Sequence, residues 1–174
     1  EMISRLKKYF DKNEVEKIQA GTFHAVGYKW LKKLYPNMVL KQPNELKTLF
    51  NAIHERYMNT VKFYENKPYS AGYLYDFYES YNASCVPRLH DWIMASAPAQ
   101  IEHENIYIRI FDEFEAQKEE CGFLGFSDLL IKASKACEEG KIDGFFEVLV
   151  DEYQDSNNLQ HKFVESVKPK SLFC

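Results

Sequence analysis

Residues 145–155 decide the predicted fold, and they read Phe-Phe-Glu-Val-Leu-Val-Asp-Glu-Tyr-Gln-Asp. The first half is a short apolar run rich in aromatic and β-branched residues, which predicts a buried strand. Two adjacent carboxylates, Asp151 and Glu152, follow where this strand should end. Ligands of open parallel sheets collect at such strand ends, where one carboxylate can hold Mg²⁺ and its neighbour can polarise an attacking water. A solvated acidic turn is the alternative, and the stretch alone favours neither.

The residues on the carboxyl side of this stretch predict a helix and then a further strand. Leu159, Phe163 and Val167 recur at helical spacing after Ser156 or Asn157, and the helix should end near Pro169. Residues 171–174 look like the opening of another strand. A strand, a helix and a second strand in this order are typical of a parallel α/β sheet.

The N-terminal region predicts a second strand-to-helix junction. Residues 1–10 carry apolar side chains at helical spacing between basic residues, which indicates an amphipathic helix. Residues 15–23 then predict a short strand, and a helix should follow from His24 to Pro36. We therefore expect Thr22, Phe23 and His24 at the carboxyl end of a strand. For His24 considered alone, a helix-start histidine bonded to the backbone is the simpler interpretation.

The middle of the chain, residues 39–121, predicts a series of helices. Nine aromatic residues fall within residues 57–81. They could form a stacking platform for unpaired bases, but few Lys or Arg residues lie between them. We therefore favour the interpretation that these side chains fill the core of a small helical unit. The whole pattern predicts a helix-rich α/β fold in which a partial parallel sheet is interrupted by an all-helical insertion.

Composition and charge restrict the class of protein. The chain has 174 residues, of which 45% are hydrophobic and 28% charged, as in ordinary globular proteins. No apolar run approaches the roughly 18 residues that would span a membrane, and no secretory leader is visible, so we expect a cytoplasmic protein. The net charge is −4, yet residues 1–50 hold ten Lys and Arg against five Asp and Glu. A nucleic-acid contact is therefore more plausible in the N-terminal third.

Three segments resemble motifs of superfamily 1 DNA helicases of the UvrD/Rep/PcrA type. Residues 21–25, Gly-Thr-Phe-His-Ala, resemble the motif Ib region, and residues 125–130, Gly-Phe-Ser-Asp-Leu-Leu, resemble the segment before motif II. Residues 148–157, Val-Leu-Val-Asp-Glu-Tyr-Gln-Asp-Ser-Asn, are similar to motif II, the Walker B element, in nearly every position. Residues 1–2 and the basic helix after them also resemble the tail of motif Ia.

The resemblance implies a division of the chain into three parts. Residues 1–38 and 122–174 would belong to the first RecA-like domain, called 1A, with motif Ia and Ib elements in the first part and Walker B in the second. Residues 39–121 would form the helical 1B insertion of that domain. The family match for residues 39–121 rests on the position of this helical block rather than on motifs.

The resemblance also implies roles for individual residues in an ATP-dependent helicase that moves along single-stranded DNA and unwinds duplex DNA. ATP and Mg²⁺ would be its cofactors. Asp151 would help to hold Mg²⁺ on the nucleotide, and Glu152 would orient and activate the attacking water as the catalytic residue. Gln154 and Asp155 would link the nucleotide site to neighbouring motifs. The residues that would contact DNA are Thr22, Phe23 and His24.

The sequence departs from the family pattern in two respects. Gly125 and Ser127 stand where the family usually has Asp, so we expect no acidic role at these positions. The 174 residues also contain no GxxxxGK[ST] phosphate-binding loop. We expect that loop before residue 1 in a longer protein, and we expect this chain alone to be inactive as an ATPase. The alternative is a non-catalytic helical module that binds DNA or protein and retains a remnant ATPase motif.

Overall fold

The computed structural model describes residues 8–60, 66–143, 145 and 147–174. The predicted motif Ia tail and most of the predicted N-terminal helix fall on residues 1–7, outside these ranges. Residues 8–10, which were expected to end that helix, form a turn and a bend. Two of the nine clustered aromatic residues, Phe63 and Tyr64, also lie outside the described residues, as does Phe146 of the predicted strand.

Helices dominate the described residues, and the strands are short. In chain order the elements are α1 (Lys12–Lys17), α2 (Phe23–Leu34), β1 (Val39–Leu40), α3 (Pro43–Met58), α4 (Ala71–Ser84), α5 (Leu89–Ser96), a 3₁₀ helix (Pro98–His103), α6 (Glu104–Cys121), β2 (Phe123–Leu124), α7 (Phe126–Glu138), β3 (Glu147–Leu149), a 3₁₀ helix (Tyr153–Asp155), α8 (Asn158–Ser166) and β4 (Ser171–Phe173). None of the helices in the described ranges combines the length and the apolar composition needed to cross a bilayer.

The strands form two separate parallel pairs. β3 pairs with β4 in the register Val148 to Leu172, and α8 supplies the crossover between them. β1 pairs with β2, with Val39 opposite Phe123, although the helical region separates them in the sequence. Parallel pairing joined by helices is consistent with the predicted α/β class. No strand was predicted at Phe123–Leu124, because the pairing partner of β2 is distant in the sequence.

The first predicted strand was also wrong. Residues 15–17 belong to α1, residues 18–20 have no regular structure, and α2 begins at Phe23. This segment is rich in Glu, Lys, Gln and Ala, which favour helices and are poor strand formers. The irregular segment is fixed by a hydrogen bond of 2.8 Å from the Trp30 indole nitrogen to the Gln19 side-chain oxygen. Thr22 therefore precedes a helix but does not follow a strand.

The helical block, residues 43–121, has its own core. Four aromatic rings, those of Phe50, Tyr75, Tyr78 and Phe114, pack edge to face or tilted with centroids 5.1 to 6.3 Å apart. Among the described residues, the buried members of this first core are Leu46, Phe50, Ile53, Leu74, Tyr75, Tyr78, Leu89, Ile93, Tyr107, Ile110, Phe111 and Phe114. Tyr75 and Tyr78 are therefore core residues, as the favoured interpretation of the aromatic segment predicted.

A second core lies between α2, α7 and α8. Trp30 of α2 stacks on Phe145 and contacts Phe163 of α8, with ring centroids 5.5 and 5.3 Å apart. Gly27 is buried where α2 packs on α7, and a Cβ atom there would lie 3.4 Å from the Ala133 Cβ. The buried residues of this second core are Trp30, Leu31, Met38, Leu124, Leu129, Leu130, Ala133, Ala136, Leu159, Phe163 and Val167.

The strand predicted before the two carboxylates is shorter and more exposed than expected. Only Glu147–Leu149 are in β3, and the side chain of Leu149 is 77% exposed. On β4, Leu172 and Phe173 are 42% and 56% exposed. The prediction of a buried strand was therefore wrong for the described chain, because β3 and β4 pair only with each other in it. An apolar strand is buried only where further strands and helices cover it.

Candidate functional site: an acidic turn after β3

Asp151 and Glu152 form a turn between the end of β3 and a short 3₁₀ helix. Both side chains are exposed. The backbone of Glu152 is in the left-handed region, with φ of 51° and ψ of 42°. A non-glycine residue in this conformation costs on the order of 1–3 kcal/mol, and such residues cluster at functional sites. The structure therefore holds one of the two predicted site carboxylates in an unfavourable backbone conformation at the carboxyl end of a parallel strand.

Local hydrogen bonds fix the orientation of the Glu152 residue. Its carboxylate accepts a hydrogen bond from the side-chain amide of Gln154. Its backbone carbonyl accepts a hydrogen bond of 2.9 Å from the backbone N–H of Asp155. Gln154 and Asp155 were predicted to link the nucleotide site to other motifs. In the structure both donate hydrogen bonds to Glu152.

The start of α8 anchors the other end of the turn. Asn157 caps the helix, because its side-chain oxygen accepts from Gln160 N at 3.0 Å and the Gln160 side chain accepts from Asn157 N at 2.9 Å. The ring of Tyr153 lies against that of His161, with centroids 4.4 Å apart. Neither Tyr153 nor His161 had a predicted role, and nothing in their spacing along the chain indicated this contact.

The acidic turn offers oxygen ligands but no complete metal site. Within the described residues, no group of three or more His, Cys, Asp or Glu side chains could hold a metal ion. Mg²⁺ is commonly held by one or two protein carboxylates while phosphate oxygens and water complete its octahedral shell. A pair of exposed adjacent carboxylates therefore fits a magnesium ion that is bound together with a nucleotide.

The second predicted group, Thr22, Phe23 and His24, lies at the start of α2. The Thr22 hydroxyl oxygen accepts a hydrogen bond of 3.2 Å from Ala25 N and so caps the helix. Thr22 is exposed, and a hydroxyl that accepts one hydrogen bond can still donate its own proton to another group. Phe23 is half-buried and packs edge to face on Phe163 of α8, with centroids 6.5 Å apart. Phe23 is thus mainly a packing residue.

His24 is half-buried between α2 and the start of α7. Its ring lies edge to face against Phe126, with centroids 5.4 Å apart. Burial lowers the pKa of His24 below its ordinary value, so the imidazole is mainly neutral at neutral pH. His24 is the second residue of α2, at the start of a helix as the simpler interpretation expected, and its ring packs on that of Phe126.

The two predicted groups belong to one packed unit but do not touch each other. Phe23 reaches α8, the helix that follows the acidic turn, and His24 reaches Phe126 in the segment that resembles the region before motif II. In the described ranges, no hydrogen bond or ring contact connects residues 22–24 directly with residues 151–155. Phe23 and His24 thus contact α8 and the start of α7, and α8 is the helix that follows the acidic turn in the chain.

Two comparisons with known proteins found similar sequences. A family model described as the UvrD/REP helicase N-terminal domain matches residues 1–174. A protein of Clostridium botulinum (strain Alaska E43 / Type E3), described as one of the subunits of an ATP-dependent helicase/nuclease, is 36% identical over 98 residues. That alignment covers 48% of this chain and 8% of the relative. The match thus spans only a small part of the relative's length.

Proposed function

The chain belongs to the UvrD/REP helicase N-terminal domain family, and we propose that it is part of an ATP-dependent DNA helicase. In the full-length protein, ATP hydrolysis would drive translocation along single-stranded DNA and the unwinding of duplex DNA. The position of Asp151 and Glu152 at the end of β3, with Glu152 in a left-handed backbone conformation, is the observation that carries the proposal.

Asp151 and Glu152 would have different roles at the nucleotide. Asp151 would hold Mg²⁺ on ATP, where the ion, when bound, neutralises charge on the phosphates. Glu152 would accept the proton of the attacking water, and its hydrogen bond from Gln154 orients the carboxylate for this role. Gln154 and Asp155 would connect this site to the motifs around it, in addition to the hydrogen bonds that they donate to Glu152.

Thr22 and His24 would contact the DNA strand. Phe23, which lies between them in the sequence, would support them through its packing on Phe163. The exposed Thr22 hydroxyl can donate to a phosphate oxygen while it continues to cap α2. His24 would act as a neutral imidazole, which can hydrogen-bond to a base edge or stack on a base. Phe23 packs on α8 and would set the position of the helix start.

The two cores support the proposed division of the chain. The buried residues that the structure describes in the first core lie within residues 39–121, the proposed 1B insertion. Those of the second core come from residues 1–38 and 122–174, the two proposed parts of domain 1A. The parallel pair of β1 and β2 lies where the chain enters and leaves the proposed insertion.

ATP hydrolysis by the full-length protein, with and without single-stranded DNA, tests this function. We expect DNA-stimulated turnover that Asp151→Asn abolishes, because the amide removes the charge that holds Mg²⁺. The 174-residue chain alone should release no phosphate above background, since its sequence contains no phosphate-binding loop. DNA binding without hydrolysis by the full-length protein would favour the non-catalytic module. DNA-stimulated turnover by this chain alone would contradict the proposal of a fragment.

A further inference from the structure

Lys118 of α6 is a buried cation at the boundary between the two cores. The residue is 2% exposed. Its ammonium nitrogen lies 2.9 and 2.8 Å from the two carboxylate oxygens of Asp128, 2.9 Å from an oxygen of Glu115 and 2.8 Å from the Tyr78 hydroxyl. It also lies 4.8 Å from the centroid of the Phe114 ring. A buried ammonium ion with this many acceptors is stabilised only while all of them stay in place.

Asp128 binds Lys118 and at the same time fixes the start of α7. The carboxylate is on the first turn of this helix, and the residue is 9% exposed. One of its oxygens also accepts a hydrogen bond of 2.7 Å from Gly125 N. Gly125 has little free space, since a Cβ atom there would lie 3.0 Å from Leu46 Cδ1 of α3. The loop before α7 is therefore held by both charge and close packing.

A second polar contact reinforces the same junction. The Ser127 hydroxyl donates a hydrogen bond of 2.8 Å to the carboxylate of Glu79 on α4. Burial raises the pKa of Glu79. Residues 125–128 are thereby tied to α3, α4 and α6 of the helical block. Phe126, in the middle of this segment, is the residue that contacts the His24 ring.

We propose that Lys118 and Asp128 form a positioning pair, which transmits the placement of the helical block to His24 through Phe126. The DNA-contact role of His24 rests on the proposed function, whereas the fixing of the 125–128 segment does not. Rotation or withdrawal of the helical block would break the contacts of Lys118, release the loop before α7 and move Phe126 relative to His24. The pair would therefore make DNA affinity depend on the placement of the helical block.

Three variants of the full-length protein test the pair: Lys118→Met, Asp128→Asn and the double variant. Lys47→Met is the matched control, because the half-buried Lys47 forms an ion pair of 2.8 Å with the exposed Asp76 at the surface of the same block. Lys118→Met leaves Asp128 as a buried unpaired charge, so it should have the largest effect. Asp128→Asn keeps an acceptor for Gly125 N and should be milder. The double variant removes both charges and should be milder than Lys118→Met alone.

The first measurement is hydrogen exchange in peptides that span residues 122–128. We expect Lys118→Met to speed exchange by about 100-fold or more, the size expected for a broken buried pair. Lys47→Met should leave exchange of the same peptides unchanged, since exposed ion pairs contribute little. Unchanged exchange in both Lys118→Met and Asp128→Asn would overturn the positioning pair, whatever the function of the protein.

The second measurement is ATP hydrolysis as a function of single-stranded DNA concentration. In Lys118→Met the DNA concentration for half-maximal stimulation should rise about 2- to 30-fold, the range of coupling through packed side chains. The rate at saturating DNA should change much less, and a merely structural role would not produce this split. Faster exchange with an unchanged half-maximal DNA concentration would overturn the link to His24. If DNA did not stimulate ATP hydrolysis by the wild-type protein, the proposed function would be contradicted. The hydrogen-exchange measurement would still test the positioning role of Lys118 and Asp128.

Discussion

The helical block and the β3–β4 pair differ in how completely they are covered. In the first core, Phe50 and Phe114 are fully buried and surrounded by other rings. On the strand pair, Leu149 is 77% exposed, although it is one of the most apolar positions of its segment. The candidate catalytic residues follow the open strand, whereas the block makes its core from its own side chains.

The two regions therefore derive their structure from different sources. The block is stabilised by side-chain packing between its own helices, such as that of Phe50 on α3 against Phe114 on α6. The acidic turn is shaped by a few local hydrogen bonds and by a strand with one partner, so little of its free energy comes from burial. Substitutions in the block should therefore change stability, and substitutions at the turn should change chemistry.

The largest expected difference in stability is between Phe114→Ala and Leu149→Ala. Phe114 is fully buried, so its truncation should lower the free energy of unfolding by about 3–5 kcal/mol. Leu149→Ala removes an exposed side chain and should change that free energy by about 0.5 kcal/mol or less. Urea unfolding of the two variants, followed by circular dichroism, measures both values. Equal losses of unfolding free energy in the two variants would show that Leu149 is buried to the same extent as Phe114.

Loss of a helix cap should have an intermediate effect. Thr22→Ala removes the hydroxyl that accepts from Ala25 N, so stability should fall by about 0.5–2 kcal/mol. Thr22→Ser keeps the cap and serves as the control. The loss should appear as faster hydrogen exchange in the first turn of α2, while peptides of the block exchange as before. Faster exchange throughout the block would mean that the two cores do not behave as separate regions.

The smallest expected effect is a pH dependence that originates at His24. Burial lowers the pKa of this imidazole in the folded chain, whereas the unfolded value is about 6.5. Below pH 6.5 the unfolded chain therefore binds more protons at this position. The neutral imidazole of His24 therefore contributes to stability above about pH 6.5. This contribution is lost progressively as the pH falls below that value. Urea unfolding at pH 7.5 and pH 5 should show a smaller loss in His24→Gln than in the wild type.

The features that could be predicted from the sequence were mostly local. The spacing of Leu159, Phe163 and Val167 predicted α8 and its buried face, because helical periodicity depends only on neighbours in the chain. The parallel strand after it was also predicted correctly, at residues 171–173. The carboxylates at the end of β3 were recognised from the apolar run before them.

The features that the sequence did not predict depend on distant partners or on backbone conformation. The strand at Phe123–Leu124 exists because it pairs with Val39–Leu40, and two residues carry no recognisable pattern. Lys118 follows Phe114 by four residues, on the buried face of α6, and its charge gave no indication that α7 would bury it against Asp128. The left-handed conformation of Glu152 was not predicted, because the residue at this position is neither glycine nor asparagine.

The proposed function depends above all on activation of water by the carboxylate of Glu152. Turnover and nucleotide affinity of Glu152→Gln in the full-length protein test this role, because the amide keeps the size of the side chain but removes the charge that accepts a proton. Turnover should fall by about 10²- to 10⁴-fold, while ATP affinity stays close to that of the wild type because Asp151 is intact. Glu152→Gly, which suits the left-handed backbone, should be equally inactive and fully folded. Turnover of Glu152→Gln within about threefold of the wild type, well short of the loss of a general base, would contradict this role and leave a solvated acidic turn.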